Sequence, residues 1–408
     1  MKRYKREQYL SQIRGFYHDP ELIKVITGVR RCGKSCLMET IVEELKQSGV
    51  AEDRIIYIDL DKRGYRSVKT PDQLEELIES LRKSEELKYL FIDEIQNVKG
   101  FEELINGYRS DGDYSIFITG SNSYLLSGEL VTKLTGRYLE FELYPLSFTE
   151  YLGMKAFLGK PVSAGYEEEF EHFLTDGGFP KALSYEGKEK ENYIKGIIKE
   201  IFEKDIRRRV KIRNVAVFEK VQKYIISNFG ATMSLTNILN DLQKDHCEIK
   251  RETLNRYISI LCDAKILYPC YRFDLKSRNS IRGEQKYYLA DPGFYFANNT
   301  DRRINYGPLL ENITYIYAKS KGYDISVGRI GKLECDFILR KYPAEYAYVQ
   351  VSMTILNSRE TEEREYAPLE MIKDNYPKYL LTLHDLIQKR NGIIHENMSR
   401  FMAENRDF

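Results

Sequence analysis

The stretch Gly28-Val-Arg-Arg-Cys-Gly33-Lys34-Ser35 sets two glycines, a lysine and a hydroxyl at the spacing that wraps a polyphosphate. The glycines let the backbone curl until its N–H groups face phosphate oxygens, and a helix starting there adds partial positive charge. Lys34 would reach the β- and γ-phosphates, and the Ser35 hydroxyl would coordinate magnesium. Gly28, Arg30, Arg31, Cys32, Gly33, Lys34, Ser35 and Cys36 are thus the candidate nucleotide-binding residues, and they leave ATP and GTP undistinguished. Cys32 lies inside the loop, so its alkylation is expected to block the nucleotide. Asp93 and Glu94 close the apolar run YLFI. The first would hold magnesium, as the acidic residue leaving the strand that neighbours the loop. The second can polarise the attacking water as a general base. Thr119-Gly-Ser-Asn-Ser123 offers Asn122, with Ser121 close behind, as a sensor between the γ-phosphate and those carboxylates. Arg137 precedes a strand at a place from which an arginine can enter a neighbouring subunit's site and stabilise transition-state charge.

These residues need elements to aim them. Residues 22–28 read as a buried strand running into the glycine loop, followed by a helix with Leu37, Ile41, Val42 and Leu45 on one face. Further strands at 54–60, 89–95, 115–120 and 138–143 alternate with helices at 72–82, near 101–108 and at 125–134. That alternation predicts a parallel sheet with crossover helices over residues 1–145. Residues 5–17 read as a short amphipathic helix through Tyr9, Leu10, Ile13 and Tyr17. Residues 146–213 read as mostly helical, interrupted by the turn DGGFP. Residues 214–300 contain three helices and then two strands, the order of a winged helix. Residues 301–408 alternate helix and strand again.

Composition bounds the reading. The 42% hydrophobic and 31% charged residues are those of a folded chain, and 408 residues predict several domains. Lys+Arg 63 against Asp+Glu 62 gives no whole-chain attraction to a polyanion, so only local basic clusters can argue for nucleic acid. Six scattered cysteines form no CxxC pair, which suits free thiols in a reducing compartment. There is no apolar run of membrane-spanning length, and a cytoplasmic protein without membrane contact is expected.

The strings VITGVRRCGKS, YLFIDEIQN, ITGSNSYLLSGEL, LTGRYLEFELYPLSFTEYL, GGFP, KYYLADPGF and ECDFIL…YVQVS resemble bacterial and archaeal AAA-type ATPases, related to the AAA+ and STAND groups, with a C-terminal domain of unknown function. The resemblance spans nearly the whole chain. It implies an α/β fold: a P-loop NTPase parallel sheet, a helical lid, a winged helix and a C-terminal α/β nuclease-like domain. It favours ATP over GTP, with Mg2+, and implies a homo-oligomer that gives Arg137 its target. It also places Pro180 of GGFP against the adenine. The implied activity is ATP hydrolysis coupled to duplex DNA or a partner. The alternatives it leaves open are a slow nucleotide-operated switch in signalling or phage defence and an ATP-regulated metal-dependent nuclease.

The DNA reading rests on Lys250, Arg251, Asn255 and Arg256 in the third helix, and on Lys276, Arg278, Arg282 and Lys286 in the wing. Glu248, Glu252 and Asp263 dilute it. Glu203–Arg213, written EKDIRRRVKIR, reads as a solvated basic helix face. The last segment looks like a PD-(D/E)XK nuclease fold, which needs a helix carboxylate, a strand aspartate and an acidic-x-lysine pair. Glu311 and Asp336 fill the first places, with Glu334 on the same strand face. The final pair is Gln350 and Ser352. A neutral amide is a poor magnesium ligand and serine supplies no cation, so this site is expected to be degenerate and non-cutting.

Overall fold

The computed structural model describes residues 3–120, 134–207, 210–277, 279–299, 306–343 and 345–408, with backbone alone at 281 and 282. The chain divides into two compact units, Met1–Leu143 and Tyr144–Phe408.

The first unit is built on five parallel strands: β1 (Ile23–Thr27), β2 (Ile55–Asp59), β3 (Lys88–Asp93), β4 (Tyr114–Thr119) and β5 (Tyr138–Glu142). Their order is β2-β3-β4-β1-β5. The three inner strands are buried along their full length, whereas the edge strands β2 and β5 are partly exposed. Continuous apolar runs are required where helices cover both faces of a parallel sheet. Phe91 of β3 stacks on Phe117 of β4 with centroids 4.5 Å apart. The helix Pro71–Leu81 starts at a reciprocal cap in which Thr70 accepts from the Gln73 N–H and the Gln73 side chain accepts from the Thr70 N–H. The N-terminal helix ends at Ile13 and passes into a 3-10 turn, Arg14–Phe16; Tyr9, Leu10, Ile13 and Tyr17 are all buried.

The second unit opens with the helices Phe148–Phe157, Tyr166–Asp176 and Gly187–Glu200, the last continuing as a π-helix, Ile201–Arg207. The helices Val215–Ser227, Leu235–Lys244 and Arg251–Asp263 follow, with the short strand β6 (Thr232–Met233) between the first two. Asn214 and Ser234 cap two of them through their side chains. The strands β7 (Leu267–Asp274) and β8 (Asn279–Leu289) then form an antiparallel hairpin. After the helix Tyr306–Ser320 come β9 (Asp324–Ile330), β10 (Leu333–Lys341), β11 (Glu345–Val351), β12 (Lys378–Thr382), β13 (Lys389–Arg390) and β14 (Ile393–Asn397). Helices Arg359–Met371 and Met398–Ala403 complete the unit.

Among the described residues the nine strands of this unit form one sheet, in the order β13-β14-β12-β11-β10-β9-β7-β8-β6. The hairpin joins the terminal strands through parallel pairing of Arg272, Phe273 and Asp274 with Val327, Gly328 and Arg329. The stretch expected to be a separate winged helix therefore shares its sheet with the stretch expected to be nuclease-like. Among the described residues no helix is long and apolar enough to cross a membrane.

Candidate functional site

The phosphate loop leaves β1 at Thr27, whose carbonyl accepts from the Leu143 N–H at 2.9 Å. Gly28 has φ +136°, and a Cβ there would stand 2.1 Å from the Leu143 carbonyl oxygen, so only glycine fits. Gly33 caps the helix Lys34–Gln47. Buried Lys34 donates to the Gly28 and Val29 carbonyls at 2.9 and 3.2 Å, which lays its ammonium along the loop. Arg30 is buried; Arg31, Ser35 and Cys36 are exposed, and Arg31 has a positive φ. Cys32 is fully buried, and burial pushes its thiol up. That corrects the expectation of a reactive loop thiol, because the thiolate is the reacting species.

The carboxylates stand on two adjacent strands. Asp93 ends β3 and lies opposite Asp59 in the β2–β3 register. β4 intervenes between β3 and β1, so the acidic strand is not the loop strand's immediate neighbour. That inserted strand delivers Thr119, whose hydroxyl donates to the Asp93 carboxylate and accepts from the Glu94 N–H at 3.0 Å. Burial pushes the Asp93 carboxyl up; hydrogen bonds from the Ser35 and Thr119 hydroxyls oppose it, and Asp59 adds to it. Glu94 has φ +57°, an uncommon conformation for a side chain of this size, and accepts from the Gln96 amide. The strand carboxylate, Thr119 and the Glu94 backbone thus form one hydrogen-bonded chain. The sequence reading missed Thr119 and Asp59; their signal was the strand order, which spacing alone does not give.

Arg137 is exposed and donates to the Asn106 side chain at 3.2 Å. It precedes β5 beside Ile23, at the opposite end of the sheet from the phosphate loop. A five-residue strand spans about 17 Å, so contact with a nucleotide is open to it only in another copy. Ser121 and Asn122, and most of the helix expected at 125–134, lie outside the described residues.

In the second unit, Gly177, Gly178 and Phe179 of the GGFP turn are buried, and half-buried Pro180 starts a 3-10 helix, Pro180–Ser184. Asp291, from the KYYLADPGF string, anchors the turn. Its carboxylate accepts from the Gly178 N–H at 2.6 Å and the Gly293 N–H at 2.8 Å. A Cβ on Gly177 would meet that carboxylate at 2.0 Å, and one on Gly178 would meet the Leu146 carbonyl at 2.4 Å. Phe179 packs against Phe294. Burial pushes the Asp291 carboxyl up to about 7, with the two backbone N–H groups opposing it. Two strings that looked independent in the sequence form one buried clamp.

Glu311, Glu334, Asp336, Gln350 and Ser352 all line one open cleft of about 650 Å³. Lys286, expected on a DNA-facing wing, is instead buried, with its ammonium 2.8 Å from Glu311 and 3.0 Å from Glu334. Burial alone would lower its pKa; the charges of Glu311, Asp336 and Glu334 outweigh that and raise it. β8 thus brings a cation to these carboxylates. Tyr288 also donates to Glu311, and Arg272 pairs with Glu334, each at 2.8 Å. Asp336 accepts from the Val351 N–H at 2.8 Å, and burial with the Glu311 charge pushes its carboxyl well up. The Gln350 amide donates to Glu365 at 2.9 Å, and Arg364 pairs with the same carboxylate. Every carboxylate here has a protein partner. Among the described residues no group of three or more His, Cys, Asp or Glu side chains is arranged to hold a metal ion.

On the third helix, Lys250, Arg251, Asn255 and Arg256 are exposed, as is Lys276 after the first hairpin strand. Arg207 and Lys204 pair with Glu203 and Glu200 along their own helical segment.

Residues 20–152 match the family model described as an AAA domain, and residues 167–302 match a domain of unknown function, DUF8612. An uncharacterized protein of Haemophilus influenzae is 35% identical over 379 residues, covering 92% of each chain. An uncharacterized protein of Methanocaldococcus jannaschii, MJ1544, is 29% identical over 380 residues, covering 90% of this chain and 83% of its own. Among solved structures, a Walker-type ATPase of Pyrococcus abyssi superposes with a TM-score of 0.51 at 18% identity, covering 72% of this chain and 95% of its own. That likeness is one of fold: an α/β chain built on a parallel sheet.

Proposed function

The chain belongs to one family with the Haemophilus influenzae protein, and from that premise we propose that it is a magnesium-dependent ATPase whose nucleotide state changes its engagement of duplex DNA or a partner. The observation that carries the reading is the chain of hydrogen bonds Asp93–Thr119–Glu94, with Ser35 and Lys34 of the loop helix acting on the Asp93 carboxyl. Lys34 binds the β- and γ-phosphates, and Ser35 and Asp93 hold magnesium. Glu94 polarises the water that attacks the γ-phosphorus. Asn122 senses the γ-phosphate, Pro180 contacts adenine, and Arg137 acts in a neighbouring copy within a homo-oligomer.

The second half of the proposal rests on the exposed face carrying Lys250, Arg251, Asn255 and Arg256. It belongs to the third of three helices preceding a hairpin, the element that winged-helix proteins lay on duplex DNA. With Lys286 withdrawn, the wing offers less charge than its sequence promises, so modest and salt-sensitive affinity is expected. The test is ATP turnover by wild type and Glu94→Gln, each with and without duplex DNA. Turnover that DNA stimulates and the substitution abolishes supports both halves. Turnover indifferent to DNA removes the DNA half, and no magnesium-dependent phosphate release under either condition removes the ATPase.

A further inference from the structure

The matched AAA domain begins at residue 20, yet the segment before it is fastened to the phosphate-loop helix. Arg3 pairs with Glu39 and Glu43, while Lys5, Arg14 and Tyr17 converge on Glu44 at 2.9–3.0 Å. Tyr9, Leu10 and Ile13 bury the segment's apolar face. This is more fastening than a seven-residue helix needs, and it serves to hold one further side chain in place.

That side chain is Arg6. It is only 5% exposed. Its guanidinium lies over the Tyr9 ring, 4.7 Å from the centroid, and donates to the Cys32 carbonyl at 3.2 Å. Cys32 immediately precedes Gly33. Across a planar trans peptide the carbonyl and the following N–H point in opposite directions. A guanidinium holding the Cys32 carbonyl therefore turns the Gly33 N–H away from the segment. Phosphate loops bind through such N–H groups, and each must point inward for the cradle to close.

We propose that Arg6 is a positioning residue of the phosphate loop, fixing the Cys32–Gly33 peptide so that the Gly33 N–H faces a phosphate group of a bound nucleoside di- or triphosphate. The proposal rests on the nucleotide-binding reading above and extends it to a segment outside the matched AAA domain. Arg6 then acts on affinity, through the Cys32 carbonyl, and leaves the chemical step alone. Because a cradle N–H serves ADP and ATP alike, the two affinities move together.

The experiment is equilibrium binding of fluorescent ADP and ATP analogues to the full chain, with kcat measured at saturating ATP. Arg6→Ala is expected to weaken both nucleotides about tenfold, the scale of losing one charge-assisted hydrogen bond. Its kcat stays within about twofold of wild type. Arg6→Lys, which keeps a cationic donor, recovers most of the affinity. Arg14→Ala removes ion pairs of the same segment and lowers Tm without changing affinity. Arg6→Ala binding like wild type overturns the proposal, as does an equal loss in Arg14→Ala, or a fall in kcat at unchanged affinity. If Arg6→Ala does not fold, Arg6→Gln and Arg6→Lys decide the matter through the same ratio of affinity to kcat. Absence of binding by wild type, with Lys34→Ala no different, defeats the nucleotide reading itself and is a distinct result.

Discussion

At the phosphate loop, positive charge is gathered: Lys34 and the start of the loop helix meet there, and Lys34 and Ser35 act on the Asp93 carboxyl. In the terminal cleft, negative charge is gathered and already answered from within. Glu311, Glu334, Asp336 and Glu365 meet Lys286, Arg272, Arg364 and backbone or side-chain N–H donors. The first arrangement is the one that the proposed nucleotide and magnesium would occupy. The second already holds an ammonium from β8 against Glu311 and Glu334. A set of carboxylates that matches a nuclease by type and spacing can thus be a neutralised structural cluster.

The largest expected effect separates the two sites directly. Glu94→Gln should lower ATP turnover at least about a hundredfold, the scale of losing a general base, with nucleotide affinity retained. Asp336→Asn should leave turnover within about twofold. Steady-state kinetics on the two variants checks this, and equal losses would erase the distinction.

Next is Lys286→Met, which strands the half-buried carboxylates of Glu311 and Glu334 without their buried ammonium. Breaking a buried pair in this way costs about 3–5 kcal/mol. Guanidinium unfolding monitored in the second unit should show it, while the fluorescent-nucleotide affinity of the first unit stays unchanged. A surface-like loss below about 1 kcal/mol would mean that solvent, not Lys286, answers the cleft.

Asp291→Asn tests another buried carboxylate of the second unit through pH. The folded carboxyl sits at about 7, above its ordinary 3.8, so the folded state holds a proton that the unfolded state has released between those values. This contribution to stability is present at low pH and is lost as pH rises towards 7, with no further change above. Chemical denaturation from pH 4.5 to 8 should show the slope in wild type and its absence in Asp291→Asn. The smallest effect concerns reactivity: N-ethylmaleimide should modify exposed Cys36 well before buried Cys32, as mass spectrometry of the labelled peptides would show.

Much of the first unit was legible because its cues are local. A glycine loop between an apolar strand and an amphipathic helix, and Asp93-Glu94 closing YLFI, depend on neighbours in sequence. What was not legible depends on strand order. Nothing in the spacing shows that β4 slips between β3 and β1 and hands Thr119 to Asp93. The same limit explains Lys286, whose partners lie 25 and 48 positions away on a helix and a strand. Exposure was assumed for every wing lysine, and burial against carboxylates overrode that assumption for this one. Asp291 and GGFP were each visible as strings, but their pairing spans 113 positions. β14 and the helix Met398–Ala403 went unread because each is too short to show a period.

The single sheet of the second unit carries a consequence for synthesis on the ribosome. The helix Met398–Ala403 packs on the helices Phe148–Phe157 and Tyr166–Asp176, and the Thr149 hydroxyl donates to the Met402 carbonyl at 2.5 Å. The first stretch of this unit to emerge is therefore closed by one that emerges some 250 residues later. The first unit, whose internal pairings all lie within Met1–Leu143, can fold while translation continues. The second must keep its early helices exposed until residues near 400 arrive, and the outer edge of β7 until β9 does. At about 5–20 residues per second that exposure lasts on the order of ten seconds or more. Truncation near residue 300 would make it permanent, leaving β7 with an open edge that invites aggregation.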